Sequence, residues 1–308
     1  MRLHDLKKYL DYTLENKSFA PMFSVKVSDA ALQAARSIRG SNLNPALIVH
    51  GMMPRSGTVY IGELLRLHPS LYAYPYQLWE VPFLQLAGEV LALQERFFSI
   101  YEQNRGKIGE HDFLPLFGAS LISYLHTGVP SGQRILLKVP SVQYLSCFGA
   151  MFPGEQLLVL VRDGRDVVHS TLRTWPQLSF TQACRRWNLA ARMVLEVDRH
   201  MSRTRPGQYA LTRFEDAVND PLTFVREACR RFGLEENCYP YDRIAEIPLR
   251  GSSVVSKKGE VSWEPVKRPD GFEPIGYWRR WSILKKWVFK RIAGPSLMAL
   301  GYCEDLNW

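Results

Sequence analysis

The stretch from Pro45 to His68 constrains the fold most strongly, and it reads PALIVHGMMPRSGTVYIGELLRLH. Its first apolar run, residues 46–49, is short and biased towards β-branched side chains, which predicts a buried strand. A turn with proline, glycine and serine follows over residues 51–57, and the apolar residues after Thr58 recur at helical spacing. A strand, a tight turn and a helix direct backbone N–H groups and the positive helix end at one point. The sequence therefore predicts an anion-binding turn.

This turn differs from the phosphate-binding loop G-x-x-x-x-G-K-[ST]. Gly51 and Thr58 fit that pattern, but Gly57 occupies the position of the lysine, and Arg55 lies two residues earlier. A guanidinium group binds oxyanions through two parallel hydrogen bonds. No separate acidic strand end is placed to hold magnesium, so we expect a phosphate or sulfate group that binds without a metal. An ordinary strand–helix turn is the alternative for this motif taken alone.

A second basic turn follows another apolar strand. Residues 156–161 predict a buried strand, and the chain continues at once with Arg162 and a helix that carries Ser170. We expect Asp163 or Asp166 to cap this helix or to pair with an arginine. Two anion-binding turns on one sheet indicate a ligand with two phosphate-type groups.

A third apolar strand, predicted over residues 134–140, carries Lys138 near its C-terminal end. Open α/β sheets bind their ligands at this edge, and a lysine at the end of a buried strand needs water or an anion. Ahead of this strand lies an aromatic segment, residues 72–79, followed by Glu80. The segment predicts either a cover over the core or the wall of an acceptor site with one buried acid.

Composition narrows the class of protein. The chain has 308 residues and a formal net charge of +9, which favours anionic ligands or surfaces, although an ordinary basic surface has the same composition. No apolar stretch approaches the roughly 18 residues of a membrane span, and the N-terminus lacks the pattern of a signal peptide. Five scattered cysteines favour reduced thiols over disulfides or a zinc site, so we expect a cytoplasmic protein. No nucleic-acid-binding motif is present, and the oligomeric state is left open.

The order of these elements predicts one main domain. We expect residues 1–44 to form a helical leader, with helices near residues 3–10 and over residues 29–38. Residues 45–308 would form a P-loop-like α/β domain of three layers, with a mainly parallel sheet of four to five strands and helices on both faces.

Two segments near the C-terminus have an unusual composition. Residues 248–276 are rich in glycine, proline, serine and lysine and predict a long loop, which would act as a basic lid over an anionic ligand. The lid residues proposed to contact that ligand are Arg250, Ser252 and Ser253. Residues 277–300 predict a helix with tryptophans among lysines and arginines. Such a helix either packs its apolar side on the protein or lies on an anionic membrane surface.

Four motifs, in order, resemble the sulfotransferases that use 3′-phosphoadenosine 5′-phosphosulfate (PAPS). PRSGT at residues 54–58, followed by a helix and an HP pair, resembles their 5′-phosphosulfate loop. LVRDGRDVVHS at residues 160–170 resembles their 3′-phosphate motif, especially that of the tyrosylprotein branch. RFEDAVNDP at residues 213–221 resembles a third motif, and ALGY at residues 299–302 is typical of bacterial members. The GEL and LW-x-V strings are also similar to the carbohydrate branch.

The resemblance implies a set of donor-binding residues. The positions that match the 5′-phosphosulfate loop and the helix after it are Arg55, Ser56, Gly57, Thr58, Val59 and Tyr60, and those that match the 3′-phosphate motif are Arg162 and Ser170. Tyr60 stands where many members place a tryptophan against the adenine, and Phe214 replaces a tyrosine of the third motif. Lys138 matches a family lysine at a strand end and would contact the transferring sulfuryl group.

The catalytic base is where this chain departs from the family. The tyrosylprotein and carbohydrate branches place a glutamate shortly after the HP pair, where this chain has Pro-Tyr-Gln at residues 75–77. The histidine of the cytosolic branch would fall on Pro140. We take Glu80 as the candidate base, with His111 and His50 as reserves. An ordinary salt bridge is the alternative for Glu80.

The resemblance implies transfer of a sulfuryl group from PAPS, without a metal, to a hydroxyl acceptor on a carbohydrate, a lipid-linked molecule or a natural product. Glu80 would accept the proton, while Arg55 and Lys138 would neutralise the charge that develops. Two alternatives are a P-loop kinase of a small molecule and a non-catalytic module that binds anions or membranes.

Overall fold

The computed structural model describes residues 16–19, 22–40, 43–255, 261–267 and 274–308. For residues 16–17, 250–255 and 261–264 the description covers the backbone only. The helix expected near residues 3–10 lies outside the described residues.

Helices and strands alternate along most of the chain. The first part contains α1 (Asp29–Arg39), β1 (Leu47–Gly51), α2 (Thr58–Arg66), β2 (Leu71–Ala73), α3 (Ala87–Ile100) and α4 (Phe113–His126). The middle part contains β3 (Arg134–Val139), α5 (Phe148–Met151), β4 (Gln156–Val161), α6 (Gly164–Thr174), α7 (Phe180–Thr204) and β5 (Tyr209–Arg213). The last part contains α8 (Phe214–Asn219), α9 (Pro221–Phe232), β6 (Leu249–Val255), β7 (Val261–Val266) and α10 (Ile283–Ala299).

Strands β1 to β5 form one parallel sheet in the order β2–β3–β1–β4–β5. β1 lies at the centre, where Val49 is in register with Lys138 of β3 and with Leu158 of β4. All of β1 is buried, as a continuous apolar run predicts for a parallel sheet covered on both faces. Because the strands are parallel, the chain leaves β1, β3 and β4 at the same edge. The segments that carry Arg55, Lys138 and Arg162 therefore lie at the same edge of the sheet.

The two faces of the sheet support separate apolar cores. Ile48 and Leu137 point to one face and pack with Trp187 of α7. Val49 and Leu136 point to the other face, where the core includes Leu64 of α2, Phe224 and Phe232 of α9. Helices on both faces of a five-stranded parallel sheet confirm the predicted three-layer α/β fold.

The prediction of one long loop over residues 248–276 is wrong in part. Residues 249–255 and 261–266 pair as the antiparallel strands β6 and β7. Val254, Val255 and Val261 favour strands, and the many glycines and serines around them hid this signal. The role of this ribbon as a lid stays a prediction.

The helix predicted over residues 277–300 is confirmed over Ile283–Ala299, but its predicted start is wrong, because two helical pieces occupy this range. Tyr277–Arg280 form a short 3₁₀ turn, and Ser282 then begins α10 by accepting a hydrogen bond from the Lys285 N–H at 3.4 Å. α10 packs mainly on α7. Within the described ranges, every helix is too short or too polar to cross a bilayer.

Candidate active site

The turn between β1 and α2 holds an unusual backbone conformation. Arg55 has φ +76° and Gly57, which begins α2 just before Thr58, has φ +93°. The Ser56 hydroxyl donates a hydrogen bond to the Met53 carbonyl at 2.7 Å and accepts one from the Met53 N–H at 3.2 Å. A left-handed conformation at a non-glycine residue such as Arg55 is costly and often marks a functional turn. Ser56 stabilises this turn from within, and its contact with a phosphosulfate group stays a prediction.

Gly57 has no room for a side chain, because the ring of Phe214 lies directly over it. A Cβ atom at Gly57 would collide with this ring. The guanidinium of Arg162 lies 4.5 Å from the centre of the same ring, and the Tyr60 ring lies edge-on to it at 6.1 Å. Glycine alone meets both the positive φ and the close approach. Phe214 thus joins the two basic turns by packing against both.

We expect Gly57→Ala to destabilise the protein by about 2–4 kcal/mol, because the methyl group adds steric overlap to backbone strain. Thermal unfolding measures this cost. Gly207→Ala is the matched control, since its φ is ordinary and open space surrounds it. Gly233→Ala has φ +65° without a close neighbour and isolates the strain. Equal melting temperatures for the Gly57 and Gly207 variants would contradict the steric explanation.

The two basic turns contact one another directly. Arg55 Nε donates a hydrogen bond to the Ser170 hydroxyl of α6 at 3.2 Å. Arg162 donates through Nη1 to the Arg55 carbonyl at 2.8 Å and through Nη2 to the Pro274 carbonyl at 2.7 Å. The Nε of Arg162 is buried and has no hydrogen-bond partner among the described residues. The structure therefore brings Arg55, Arg162 and Ser170 together, as the two motifs predicted.

The other arginine of the second turn, Arg165, has a structural role. Asp163 caps α6 by accepting from the Arg165 N–H at 2.8 Å, and it pairs with the Arg165 guanidinium at 2.6 Å. Trp278 and Trp308 lie against that guanidinium, with ring centres 3.8 Å and 4.5 Å away. The expectation that Asp163 or Asp166 caps the helix or pairs with an arginine is confirmed for Asp163. Arg165 is thus held by Asp163 and the two tryptophans, whereas Arg162 contacts the neighbouring turn.

The charge around Arg55 is positive. The pKa of Arg55 is lowered to about 10, mainly by burial and further by the positive charges of Arg162 and Arg173. Burial and the charges of Arg173 and Lys285 also lower the pKa of His169, the neighbour of Ser170. A bound anion would stabilise the charged form of each of these two side chains. The edge of the sheet between β1 and β4 is therefore suited electrostatically to phosphate or sulfate.

Lys138 forms a second group of contacts on the other side of β1. Its side chain is buried, and its Nζ lies 3.6 Å from Glu80 Oε1 and 4.2 Å from the centre of the Trp79 ring. Trp79 in turn stacks on Tyr74 with ring centres 4.6 Å apart. Burial lowers the pKa of Lys138, and the charges of Glu80 and Glu63 oppose that shift. The structure thus places Glu80 beside the buried lysine. The expectation that this acid is buried is wrong, because 43% of the Glu80 side chain is exposed.

The aromatic segment that leads to Glu80 has a strained backbone. Tyr74, Tyr76 and Gln77 all have positive φ, at 62°, 54° and 61°. Strain of this kind persists only where the surrounding structure enforces it, and it is concentrated at ligand sites. The Tyr76 ring stacks on Tyr124 of α4 at 5.0 Å and is 46% exposed. These features favour the wall of an acceptor site over a simple cover for the core.

The two reserve histidines have other surroundings. His50 is buried in β1, its Nδ1 lies 2.7 Å from the Ser141 carbonyl, and burial lowers its pKa to about 4. His111 bonds through Nδ1 to the N–H of Lys26 at 3.0 Å. Glu80 lies beside Lys138, whereas the described contacts of both histidines are with other residues. Glu80 therefore stays the candidate base.

Glu63 is a residue that sequence reasoning missed. It lies on α2 and is 2% exposed, with Oε2 2.8 Å from Arg66 Nε and Oε1 accepting from the Tyr74 hydroxyl at 3.5 Å. Its charge also acts on Lys138. The signal was present in the sequence, because Glu63 falls among the apolar residues Ile61 and Leu64, and an acid in that position needs partners.

An apolar pocket lies between the first turn and the end of β3. Its wall includes Pro54 of the first turn, Pro140 after β3, and Trp175 and Leu178 after α6. Thr171 also lines it, and the Thr171 hydroxyl is buried without a hydrogen-bond partner in the described part of the chain. Pro54 directly precedes Arg55, and Pro140 lies two residues after Lys138. The pocket is thus next to both cations along the chain, although neither Arg55 nor Lys138 lines it.

The remaining predicted site residues lie on or near the β6–β7 ribbon. Arg250, Ser252 and Ser253 are on β6, but their side chains lie outside the described part of the structure. The chain after the ribbon does return to the site, because Gly276 N–H donates to Asp166 Oδ2 at 2.7 Å. No group of three His, Cys, Asp or Glu side chains that could hold a metal occurs among the described residues.

A parallel sheet with two adjoining basic turns defines an α/β domain whose C-terminal strand edge is suited to anions. Residues 45–237, more than half of the chain, match the model of the sulfotransferase family (Sulfotransfer_3). The chain therefore belongs to the sulfotransferase family.

Several known proteins are similar to this chain. A protein-tyrosine sulfotransferase of Drosophila melanogaster is 24% identical over 278 residues, which cover 86% of this chain and 53% of the relative. The chain thus spans about half the length of that curated relative. The sulfotransferase domain of the Synechococcus PCC 7002 olefin synthase is 18% identical with a TM-score of 0.48, over 83% of this chain and 96% of that chain. Mouse sulfotransferase SULT7A1, solved in complex with PAP (adenosine 3′,5′-bisphosphate), is 11% identical with a TM-score of 0.45. The match covers 90% of this chain and 95% of that chain.

Proposed function

We propose that the protein transfers a sulfuryl group from PAPS to a hydroxyl acceptor and releases a sulfate ester and adenosine 3′,5′-bisphosphate (PAP). The observation that carries the proposal is the direct contact between the two basic turns, where Arg55 bonds to Ser170 and Arg162 bonds to the Arg55 carbonyl. A donor with one anionic group at each end of a nucleoside matches two adjoining turns. Membership of the sulfotransferase family supports the same donor chemistry.

The residues at these turns fit such a donor. The N-terminus of α2, which begins after Gly57 at Thr58, would direct its free backbone N–H groups at the 5′-phosphosulfate. Arg162 and Ser170 hold the 3′-phosphate in this proposal, and the buried Nε of Arg162 is a donor that no described residue satisfies. Tyr60 and Phe214 provide aromatic surface for the adenine. Val59, in the same turn of α2, would also contribute to donor binding. The ribbon residues Arg250, Ser252 and Ser253 would cover the donor.

The reaction forms one bond and breaks one. The acceptor oxygen bonds to sulfur, the bond from sulfur to the bridging phosphate oxygen breaks, and the acceptor proton passes to Glu80. Lys138 and Arg55 neutralise the sulfuryl oxygens and the leaving phosphate, which is stabilisation by donors already in place. Glu80 can act as the base because its carboxylate is half exposed beside Lys138. No metal takes part in this proposal.

The acceptor is, in our proposal, an alcohol with an apolar body. The pocket beside Pro54 and Pro140 is lined mainly by apolar side chains, with Ser141, Thr171 and Arg186 as its polar members, and it has room for only a small apolar part of the acceptor. Stacked aromatic rings at Tyr74 and Trp79 suit a sugar or a ring system near the reacting oxygen. A lipid-linked or natural-product alcohol fits this combination better than a free polar sugar. The similarity to a protein-tyrosine sulfotransferase makes a tyrosine-containing peptide the control acceptor.

We place this activity in the cytoplasm. The support is that all five cysteines are free thiols and that three of them, Cys147, Cys184 and Cys229, are buried. Such thiols persist in a reducing compartment.

Calorimetric titration separates the proposal from a kinase. We expect PAP to bind without magnesium, and we expect Arg162→Ala to weaken that binding about 10- to 100-fold, because a hydrogen bond to a charged group contributes roughly 1.5–3 kcal/mol. Arg230→Ala, an exposed arginine on α9, is the matched control and should leave affinity unchanged. Binding of ATP that requires magnesium, with no binding of PAP, would overturn the sulfotransferase proposal in favour of a P-loop kinase.

A further inference from the structure

Helix α10 has two apolar faces, of which only one is packed. Phe289, Ala293 and Leu297 are fully buried, in the core that α10 shares with α7. On the opposite side, Leu284 and Trp287 lie three residues apart and face solvent. An ordinary surface helix has charged and polar residues on its outer face. The outer face of α10 thus needs a further explanation.

The exposed apolar side chains are concentrated at the start of the helix. Ile283 is 88% exposed, Leu284 is 69% exposed and Trp287 is 57% exposed. These three side chains are defined here as the apolar tip of α10. Isolated exposed apolar residues are common, but three large ones within five residues form a contiguous patch of the kind found at interaction sites.

The apolar tip lies in a stretch of the chain that is rich in positive charge. From the 3₁₀ turn through the first half of α10 the basic residues are Arg279, Arg280, Lys285, Lys286, Lys290 and Arg291. The sequence from residue 274 to residue 303 contains no aspartate or glutamate. Arg291 lies over the ring of Trp287 at 5.7 Å, so charge and apolar surface are in contact. A partner for this face must therefore combine negative charge with an apolar interior.

We propose that the apolar tip and its basic rim dock on an anionic lipid surface, with Ile283, Leu284 and Trp287 inserted between the acyl chains. Lysines and arginines would contact the phosphates of the headgroups, as in helices that lie in the membrane interface. A second copy of this chain carries the same positive rim and would repel the first. Nucleic acid matches the charge but offers no apolar interior for Leu284 and Ile283.

This docking face lies close to the donor-binding helix α6. The Tyr277 ring, just ahead of α10, stacks on His169 with ring centres 5.6 Å apart. His169 directly precedes Ser170, and the charges of Lys285 and Arg280 act on it. Docking would thus hold the active site near the lipid surface. The docking itself is independent of the proposed reaction, and only its benefit to a lipid-linked acceptor rests on that reaction.

Co-sedimentation with vesicles tests the docking. The full chain is mixed with vesicles of phosphatidylcholine alone, or of phosphatidylcholine with phosphatidylglycerol, at low and high salt. We expect binding to the phosphatidylglycerol vesicles only, about tenfold or more weaker for Leu284→Asp and for Arg291→Glu, and weaker at high salt. Leu93→Asp and Arg96→Glu are the matched controls, because both residues are exposed on α3 and they should leave binding unchanged.

Three other outcomes would each overturn the proposal that α10 docks on lipid. These outcomes are an absence of vesicle binding, equal binding to both vesicle types, and equal losses in the α3 and α10 variants. Tighter binding to an oligonucleotide, unaffected by Leu284→Asp, would assign the basic face to nucleic acid instead. PAP affinity, measured on the same variants, should not change, so failure of the docking and failure of the proposed reaction are distinguishable.

Discussion

Replacing Arg55 with alanine is expected to lower the rate of sulfuryl transfer by about 100- to 1,000-fold, the cost of removing one prepositioned donor from a developing anion. Arg55 has no substitute in its turn, because Gly57 occupies the position of the P-loop lysine. Its guanidinium is held by Ser170, and its backbone carbonyl is held by Arg162. The rate of PAP formation from PAPS measures the effect.

Two further variants sharpen this prediction. Arg55→Lys keeps the charge but loses the planar fork, so we expect it to recover only part of the rate. Arg230→Ala removes a remote, exposed arginine and should turn over like the parent protein. Near-normal turnover of Arg55→Ala would contradict the assignment of the first turn to the transferring group.

The second large effect is expected from Lys138→Met, which should lower kcat by about 100-fold or more while the melting temperature stays the same or rises. The rate falls because the buried ammonium group, in the proposed reaction, neutralises the charge that develops on the sulfuryl oxygens and the leaving phosphate. Stability is kept because methionine has a similar shape and removes the cost of burying the charge of Lys138. The half-exposed Glu80 left behind is solvated by water. Parallel thermal unfolding and steady-state kinetics measure the two effects.

The pH dependence carries a further signature of Lys138. Burial lowers the pKa of this lysine, so its charged form is lost at a lower pH than for an exposed lysine. The rate should therefore fall as pH rises through that lowered pKa. Lys138→Arg stays protonated and should lack this decline. Lys107→Met, at an exposed lysine, is the matched control. A parallel loss of stability and rate in Lys138→Met would show a structural role instead.

The part of the site that the sequence could predict depends on local patterns. The runs at residues 46–49 and 156–161 predicted parallel strands, and the ends of parallel strands lie at one edge of a sheet. That rule alone brought Arg55, Lys138 and Arg162 to the same edge. The cap at Asp163 was equally predictable, because an aspartate before a helix accepts from the first free N–H groups.

The contacts that escaped prediction are made between distant parts of the chain. The ring of Phe214 over Gly57 and the ring of Trp79 over Lys138 depend on how separate elements pack, which spacing does not encode. The β6–β7 ribbon was mistaken for a loop because its glycines and serines outweighed its valines. The break at Ser282 was missed because its tryptophan- and lysine-rich flanks continue the helical pattern.

The most direct test of the central claim is to incubate the full chain with PAPS and a panel of alcohols, and to measure PAP and sulfate ester together by mass spectrometry. The panel should contain a lipid-linked alcohol, an apolar natural-product alcohol, a free sugar and a tyrosine-containing peptide. We predict equal amounts of PAP and sulfate ester with an apolar alcohol, no requirement for magnesium, and loss of both products in Arg55→Ala. PAPS left intact with every acceptor, in a protein that binds PAP, would contradict sulfuryl transfer and leave a non-catalytic anion-binding module.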